Sequence, residues 1–398
     1  MAVQNEVRAP ATNGGRSLFY DPRVRGFVFQ AALIVLVVLF VWSAASNAIE
    51  NLREQNIASG FGFLGTTAGF DISQHLIDYS PTSTYGRAFV VGFLNTLLVA
   101  AVGIVLATVL GFLVGIARLS PNWLIARIAT AYVEVIRNIP LLLQLLFWYF
   151  AVLKALPGPR QSLDFGFGIY LNIRGLFLPN PVFGPGSGLF DVAIVVAIVA
   201  VVVLARWARR RQAATGVQFP VFWTSVAMLL GLPLCGLAVA GFPVTFDIPE
   251  LKGFNFSGGV GLEPEFVALA LGLSLYTASF IAEIVRGGIN AVSHGQTEAA
   301  NALGLRGALT LRLVVIPQAM RVIIPPLTNQ FLNLTKNSSL AVAIGYPDLV
   351  SVFAGTVLNQ TGQALEVIFI TMLVYLALSL ATSAFMNWFN LRMALVER

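Results

Sequence analysis

Six polar residues cluster in a stretch that is otherwise apolar. They are Asn329, Asn333, Lys336, Asn337, Ser338 and Ser339. The first four are spaced at i, i+4, i+7 and i+8, which puts them near one face of a helix. Amides and hydroxyls bind polar ligands, and the Lys336 ammonium is suited to attract a carboxylate. Snorkelling of that ammonium, a salt bridge to another helix and polar contacts between helices explain Lys336 equally well, so these alternatives stay open.

A second polar group lies beside a proline. Glu134 and Arg137 stand at i, i+3 just before Pro140, whose missing backbone donor favours a broken helix. Broken helices can present backbone groups to polar ligands within a membrane. An ion pair inside the helix is the favoured interpretation of Glu134 and Arg137. Thr96 and Gln144 are candidates for the same polar pathway, although hydrogen bonds between helices explain each more simply.

A polar segment, EAANALGLRGALTLRLVVIP, runs from Glu298 to Pro317 between long apolar runs. Thr297 is expected to cap a helix whose first turn holds Glu298, and Gly304 permits that helix to stop. We predict a helix of about two turns, a glycine elbow and a second amphipathic stretch that ends at Ile316 and Pro317. Contact with another protein and solvation at lipid headgroups are both compatible with this segment.

Residues for enzymatic chemistry are scarce. His75 and His294 lie far apart, and the single cysteine, Cys235, can form no disulfide within the chain. The sequence contains neither a GxxxxGK[ST] phosphate loop nor a GxSxG nucleophile turn. We therefore expect no catalytic residues, no metal site and no cofactor on this chain, and any phosphate chemistry must come from a partner.

Composition identifies the class of protein. Apolar residues make up 57% of the 398 residues and charged residues 11%, with a mean hydropathy of +0.81, whereas soluble domains are about 25% charged. Helical spans need about 20 mostly apolar residues. About eight stretches qualify or come close: 27–47, 88–117, 139–155, 192–205, 219–241, 266–285, 323–344 and 367–388. The sequence predicts an all-α, polytopic membrane protein.

Charge predicts the orientation. With the N-terminus inside, the cytoplasmic segments hold most of the arginines, including Arg118, Arg286, Arg306 and Arg312, and few cations remain outside. Both termini are therefore expected in the cytoplasm. The net charge of +6 comes from this asymmetry, and no compact basic and aromatic surface indicates nucleic acid. The apolar run 27–41 fits a retained anchor better than a cleaved signal peptide.

Loops and a basic turn divide the chain. Glycine and proline are frequent at 156–188 and 242–264, which we predict to be external loops. Two apolar spans between them are joined by ARWARRRQ, residues 205–212, which we predict to be a cytoplasmic turn. The expected organisation is residues 1–84 as tail, anchor and external loop, and residues 85–398 as the main transmembrane domain, with a two-helix insertion at about 157–264.

Several motifs together resemble one protein family. The segment from Glu298 resembles the EAA loop of ATP-binding-cassette importer permeases, with Val314 and Ile316 in place of the usual isoleucine and leucine. The motifs GFLNTLLVA, YVEVIRNIPLLLQLLFWYF, AEIVRGGINAVSHGQTEAA and IPQAMRVIIPPLTNQFLNLTKNSSLAVAI look like the polar amino acid uptake permeases. The N-terminal anchor and the inserted helix pair are similar to the longer permease subunit of general L-amino acid importers.

This resemblance implies a type I importer permease fold and specific roles. The residues Glu298, Ala299, Ala300, Gly304 and Pro317 would belong to the loop that couples the permease to a separate ATPase. The substrate pathway would include Asn329, Asn333, Lys336, Asn337, Ser338, Ser339, Thr96, Glu134 and Arg137. ATP and Mg would bind to the ATPase, and this chain would not be an enzyme.

The resemblance also implies an assembly in the bacterial inner membrane. Its expected members are a second permease, either a related chain or a copy of this one, two ATPase subunits and a periplasmic amino acid-binding protein. Membrane lipid is a further expected partner, and nucleic acid is not. The function implied is ATP-driven amino acid import. An ion-gradient-driven secondary amino acid transporter is the alternative.

Overall fold

Membrane-spanning helices dominate the computed structural model, which describes residues 22–54, 60–184, 188–217 and 219–393. Within these ranges, seven helices are long and apolar enough to cross a membrane, and a bent helix pair can provide an eighth span. The prediction of about eight helices in an all-α membrane domain is confirmed. The two terminal segments, including the predicted cytoplasmic tail, lie outside the described residues.

The helices follow one another from α1 to α12. The spanning helices are α1 (Pro22–Glu54), α2 (Tyr85–Ala117), α5 (Gly188–Thr215), α6 (Val221–Val239), α7 (Pro264–Asn290), α10 (Ile316–Asn337) and α12 (Ala364–Met393), and the bent pair is α3 (Trp123–Asn138) and α4 (Leu141–Leu146). The shorter helices are α8 (His294–Ala302), α9 (Gly307–Thr310) and α11 (Leu358–Thr361). Helix α7 lies at the centre, since 61% of its most apolar window is buried.

Small residues on α2 bring its backbone against α7. Gly103, Ala107, Gly111 and Gly115 recur at intervals of four residues and are all buried. A Cβ atom added at Gly111 would lie 2.5 Å from the Cβ of Ile281, and one at Gly115 would lie 2.8 Å from the carbonyl oxygen of Ala282. This small-xxx-small spacing is the usual means of close helix packing in membranes.

Helix α10 joins the same core from the other side of α7. A Cβ atom at Gly288 would lie 2.3 Å from Cγ1 of Ile323, so glycine is again required for the contact. Leu334 of α10 reaches Gly103 of α2, where the ideal Cβ would lie 3.1 Å from a Leu334 methyl carbon. Helices α2, α7 and α10 therefore form one packed unit, which α12 covers through contacts with α10.

The predicted span 139–155 forms the second half of a bent helix pair, with the break at its start as expected from Pro140. Helices α3 and α4 meet at 107°, because Ile139 takes an extended conformation (φ −100°, ψ 129°) before Pro140. The Gln144 amide donates to the freed carbonyl oxygens of Ile136 and Ile139, at 2.8 and 2.9 Å. Six residues of α4 and seven of the π-helix that follows, Phe147–Leu153, extend for about 20 Å, which is short of the ~30 Å hydrocarbon core.

The inserted helix pair is present, but its connections differ from the prediction. Helices α5 and α6 pack on each other, and Gly236 lies against Ala193 and Leu189. The predicted turn 205–212 is helical, since α5 continues to Thr215. Alanine, arginine and glutamine are good helix formers, so the helix extends beyond its apolar part.

The predicted external loops contain short antiparallel strands. These are β1 (Leu163–Asp164), β2 (Tyr170–Asn172), β3 (Gly175–Leu178), β4 (Asn180–Phe183), β5 (Val244–Asp247), β6 (Glu250–Lys252), β7 (Asn255–Ser257) and β8 (Val260–Leu262). They form a sheet of order β1-β2-β3-β8 and the pairs β4-β5 and β6-β7. Strand β3 pairs with β8 in the register Leu176↔Leu262, just before α7. We call the end of the helix bundle that carries strands β1 to β8 the sheet end.

Residues 60–84 cover the start of α2 at the same end. Phe63, Ala68, Ile72 and Tyr79 are buried, and the Gly60 amide donates to Oε1 of Glu366 on α12 at 2.6 Å. The buried Asn95 amide donates to the carbonyl oxygens of Gln74 and Pro347, at 2.7 and 2.9 Å. These bonds fix the segment onto the helices, whereas the apolar window of α1 is entirely exposed.

Replacing a packed glycine should test the contact between α2 and α7. Gly111→Ala is expected to destabilise the protein by about 1–3 kcal/mol, because its methyl group overpacks against Ile281. Gly287→Ala is the matched control, since this helical glycine has no atom within 4 Å of an added Cβ and alanine favours a helix. Thermal unfolding of the detergent-purified protein measures the difference, and equal midpoints would contradict the packing described.

Candidate functional site

The segment around Glu298 forms a helical loop between α7 and α10. Helix α8 ends in a complete Schellman motif: the Gly304 amide donates to the Asn301 carbonyl at 2.9 Å and the Leu305 amide to the Ala300 carbonyl at 3.1 Å. Gly304 has φ +76°, a left-handed conformation that glycine adopts without strain. The predicted glycine elbow is confirmed.

The start of α8 differs from the prediction. Thr297 lies inside the helix, which begins at His294 after an extended Ser293 (φ −56°, ψ 134°). The chain leaves α7 through a short turn in which the Ala291 amide still bonds to the Gly287 carbonyl, at 2.9 Å. Because this turn is complete by Ser293, α8 begins three residues before the expected cap and Glu298 lies in its second turn.

The side chains of α8 are exposed except on one face. Ala300 is 3% exposed and packs against the loop, whereas the Glu298 side chain is 76% exposed, with Oε1 at 3.8 Å from Nδ1 of His294. Ala299 is exposed, and Leu303 is 82% exposed. The Glu298 carboxylate within α8 and the large apolar side chain of Leu303 just after the helix are thus both accessible to another protein.

The second half of the loop does not end at Pro317 as predicted. Helix α9 leads through a π-helical turn, Leu311–Val315, into α10, and Pro317 occupies the first turn of α10. Proline lacks an amide hydrogen and its ring crowds the carbonyl four residues earlier. The carbonyl in question belongs to Leu313, which lies in the π-helical turn. Because a π turn is wider than an α turn, it leaves room for the proline ring, and the helix continues past Pro317. Gln318 then bonds to Gln296 of α8, Nε2 to Oε1, at 3.2 Å.

The predicted polar face of α10 is largely open. Asn329, Asn333 and Lys336 are exposed, and Asn337 is half-buried. No hydrogen bond or ion pair involves the side chains of these four residues within the described ranges. Unpaired amides and an ammonium on a spanning helix are costly in hydrocarbon, so this face requires water, a ligand or another chain beside it.

The two serines after this face have a different environment. Helix α10 ends at Asn337 and continues as a 3₁₀ helix, Ser338–Ile344. Ser338 is fully buried and its hydroxyl donates to the Thr335 carbonyl at 2.8 Å, while Ser339 donates to the Lys336 carbonyl at 2.7 Å. Their hydroxyls satisfy the backbone at the end of the helix. Of the two, only half-buried Ser339 reaches the surface.

A groove of about 440 Å³ lies beside Lys336, between α10 and α12. Its polar lining consists of Lys336, Ser339, Thr371, Tyr375 and Ser379. The Tyr375 hydroxyl donates to Oδ2 of the fully buried Asp348 at 3.2 Å. The sequence analysis missed the three α12 residues, although their i, i+4, i+8 spacing within an apolar helix was a usable signal.

Thr96 does not join this face. It is fully buried, and its Oγ1 donates to the Gly92 carbonyl at 3.0 Å and accepts from the Leu349 amide at 3.0 Å. It thereby connects α2 to the turn that precedes a π-helix, Val350–Val357. The simpler interpretation, a hydrogen bond between helices, is the one that the geometry supports.

Glu134 and Arg137 are also placed apart from the α10 face. Both are exposed on α3, and the favoured interpretation, an ion pair between them, is wrong because the salt bridges of the described residues do not include it. The Arg137 guanidinium instead lies over the Phe280 ring, 4.9 Å from its centroid. That cation–π contact holds the end of α3 against α7.

Comparison with known proteins identifies the family. The family model described as "Binding-protein-dependent transport system inner membrane component" matches residues 103–395. The general L-amino acid transport system permease protein AapQ of Rhizobium johnstonii is 58% identical over 383 residues, which cover 96% of each chain.

Two further relatives match over nearly their whole length. An Escherichia coli protein named as an amino-acid ABC transporter permease, YhdX, is 54% identical and covers 98% of this chain and 99% of its own. The glutamate/glutamine/aspartate/asparagine transport system permease protein BztB of Rhodobacter capsulatus is 42% identical, with 96% of each chain covered.

These matches agree with the geometry of the loop and of the spanning helices. A family member is a membrane permease, not an enzyme, and it associates with an ATPase and a substrate-binding component. The chain belongs to the family of binding-protein-dependent transport system inner membrane components and is a permease subunit of an ATP-binding-cassette transporter.

Proposed function

We propose that this permease imports amino acids across the bacterial inner membrane. The printed names of three relatives that align with more than nine-tenths of the chain, all amino acid permeases, support this substrate class. The names differ in the amino acids they include, from general L-amino acids to four acidic and amide ones. The open polar face of α10, with Asn329, Asn333 and Lys336, supports a polar cargo.

The orientation we propose places α8 in the cytoplasm and the sheet end outside. Arginines gather at the α8 end: Arg118 ends α2, Arg286 is in the last turns of α7, and Arg306 and Arg312 are in the loop. Cations concentrate on the cytoplasmic side of membrane proteins. Both termini would then be cytoplasmic, and the sheet end would face the solute-binding component.

Helix α8 is the contact that we assign to the ATPase. Exposed Glu298 and Ala299 lie on this short helix, and exposed Leu303 caps its end within the Schellman motif. Ala300 packs the helix onto the loop. The EAA resemblance also includes Gly304 and Pro317 in the coupling loop. Gly304 ends α8 and Pro317 lies in the first turn of α10, so these two residues shape the loop and do not themselves contact the ATPase. The exposure of Glu298 and Leu303 is the observation that carries this assignment.

The full assembly we propose contains two permeases, two ATPase subunits and one solute-binding protein. The second permease is either a copy of this chain or a related one, and its presence would provide the neighbour that the α10 face requires. ATP and Mg would bind only to the ATPase subunits. Residues 85–398 would form the permease domain, with the helix pair and its sheets as an insertion at about 157–264 and the anchor before it.

The α10 face is the part of the substrate pathway that we assign with most structural support. Lys336 would attract the carboxylate of an amino acid, and Asn329, Asn333 and Asn337 would bind its polar groups. Ser339, Thr371, Tyr375 and Ser379 extend the polar surface along the adjoining groove. Four further residues that the sequence suggested would support the pathway from positions outside this face. They are Thr96, Ser338, Glu134 and Arg137.

A secondary transporter driven by an ion gradient is the alternative from another class. It would need ion-binding carboxylates inside the bundle and no contact at α8. The exposed α8 helix has no role in that mechanism, whereas an ATP-driven importer requires it. Loss of ATPase association upon a change at α8 therefore separates the two mechanisms.

Reversing the charge at Glu298 should uncouple the ATPase. Glu298→Lys is expected to weaken association by about tenfold or more, because a basic or amide-donating site that accepts a carboxylate would repel an ammonium. Copurification of the ATPase subunits with the tagged permease measures association. Glu250→Lys, the same substitution on exposed strand β6, is the control, and full retention of the ATPase by the Glu298 variant would refute this assignment.

Removing the charge at Lys336 should weaken transport at low substrate concentration. Lys336→Met is expected to raise the KM for amino acid uptake by about tenfold, because a charge-assisted hydrogen bond to the substrate is lost. Folding should be unaffected, since Lys336 is exposed. Initial uptake rates in proteoliposomes provide the KM, with Arg210→Met, which removes an exposed charge from α5, as the control. An unchanged KM would favour the snorkelling interpretation.

A further inference from the structure

One carboxylate joins two helices at the α8 end of the bundle. Glu283 of α7 accepts a hydrogen bond from Nη1 of Arg118, the residue that caps α2. The other oxygen of Glu283 accepts from Nη2 of Arg286 at 2.5 Å. The Arg118 side chain is only 7% exposed, whereas those of Glu283 and Arg286 are 31% and 37% exposed. Of these two ion pairs, the half-buried one between Arg118 and Glu283 is the pair that crosses between helices.

This ion pair stands where α2 and α7 are in closest contact. Gly111 and Gly115 pack against Ile281, Ala282 and Val285, within one helical turn of Glu283. Such packing resists separation of the two helices more than it resists sliding of one helix along the other. Small sliding movements are a common way in which packed helices shift. Charge-assisted hydrogen bonds to a guanidinium are directional and do resist such sliding.

Helix α7 continues into α8 with little freedom between them. Only Ala291, Val292 and Ser293 intervene. The Ala291 amide bonds to the Gly287 carbonyl at 2.9 Å, the Val292 amide to the Ile289 carbonyl at 3.3 Å, and the Gln296 amide to the Ser293 carbonyl at 3.0 Å. A displacement of α8 is therefore passed to α7, and the cytoplasmic end of α2 follows only if it is fixed to α7.

We infer that Glu283 is a positioning residue that fixes α2 to α7 through Arg118, so that α2, α7 and α8 move as one lever. This inference rests on the proposed function, because the lever is moved by the ATPase at α8. Arg286 holds the carboxylate of Glu283 in the orientation that faces Arg118.

Neutralising Glu283 should uncouple transport from ATP hydrolysis. In proteoliposomes that contain the complete transporter, Glu283→Gln is expected to reduce the amino acids imported per ATP hydrolysed by about tenfold, while hydrolysis continues because α8 is intact. Arg118→Lys keeps the charge with fewer donors and should give an intermediate ratio. Glu50→Gln is the control with the same substitution at an exposed position of α1, and an unchanged ratio in Glu283→Gln would overturn the inference.

If Glu283→Gln does not fold, a distance measurement in the transporter that retains Glu283 tests whether α2 and α7 move together. Spin labels at Ile116→Cys and Gly287→Cys, both exposed positions, report the separation of α2 and α7 in a Cys235→Ser background. The distance should be the same in the nucleotide-free and ATP-trapped states. A change that approaches one helical turn, about 5 Å, would overturn the inference. Failure of the proposed function has a different signature, since the unmodified transporter would then show no ATP-dependent uptake.

Discussion

Glycines on α2 remove the side chains that would otherwise separate its backbone from α7, and the rest of the bundle is arranged around that contact. Van der Waals packing is a main source of helix association where lipid surrounds the protein, and it requires close approach. Gly111 and Gly115 provide that approach to α7, Gly288 provides it between α7 and α10, and Gly103 admits Leu334. The central position of α7 follows, and α7 carries α8 directly at its end. The helical loop is thus attached to the most buried element of the molecule.

Polar side chains on the spanning helices fall into two classes, those with hydrogen-bond partners within the protein and those without. The hydroxyls of Thr96 and Ser338 and the amide nitrogen of Gln144 donate to nearby backbone carbonyls, so these groups stabilise the fold locally. Asn329, Asn333 and Lys336 have no such partners within the described residues and face outward from α10. Since an unpaired polar group is costly in hydrocarbon, the second class indicates where water, cargo or the second permease must lie.

Much of this architecture could be predicted from the sequence, because apolar length and glycine conformation are local properties. The spans, the Gly304 elbow and the break at Pro140 belong to this group. The start of α8 was misplaced because the short turn after α7, and not Thr297, determines it. The ion pair predicted between Glu134 and Arg137 gives way to contact of Arg137 with Phe280, and the Arg118–Glu283 pair went unrecognised, since each depends on a partner distant in sequence. The short strands were missed because their glycines and prolines are equally typical of loops.

We propose that ATP hydrolysis by a partner, acting through α8, drives amino acid import by this chain. The decisive measurement is uptake by proteoliposomes that contain the permease pair, the ATPase subunits and the solute-binding protein, with ionophores present to collapse every ion gradient. Amino acids should accumulate only when ATP is inside the vesicles, and accumulation should continue without a gradient. Uptake that needs a gradient and ignores ATP, or no uptake with all partners present, would contradict it.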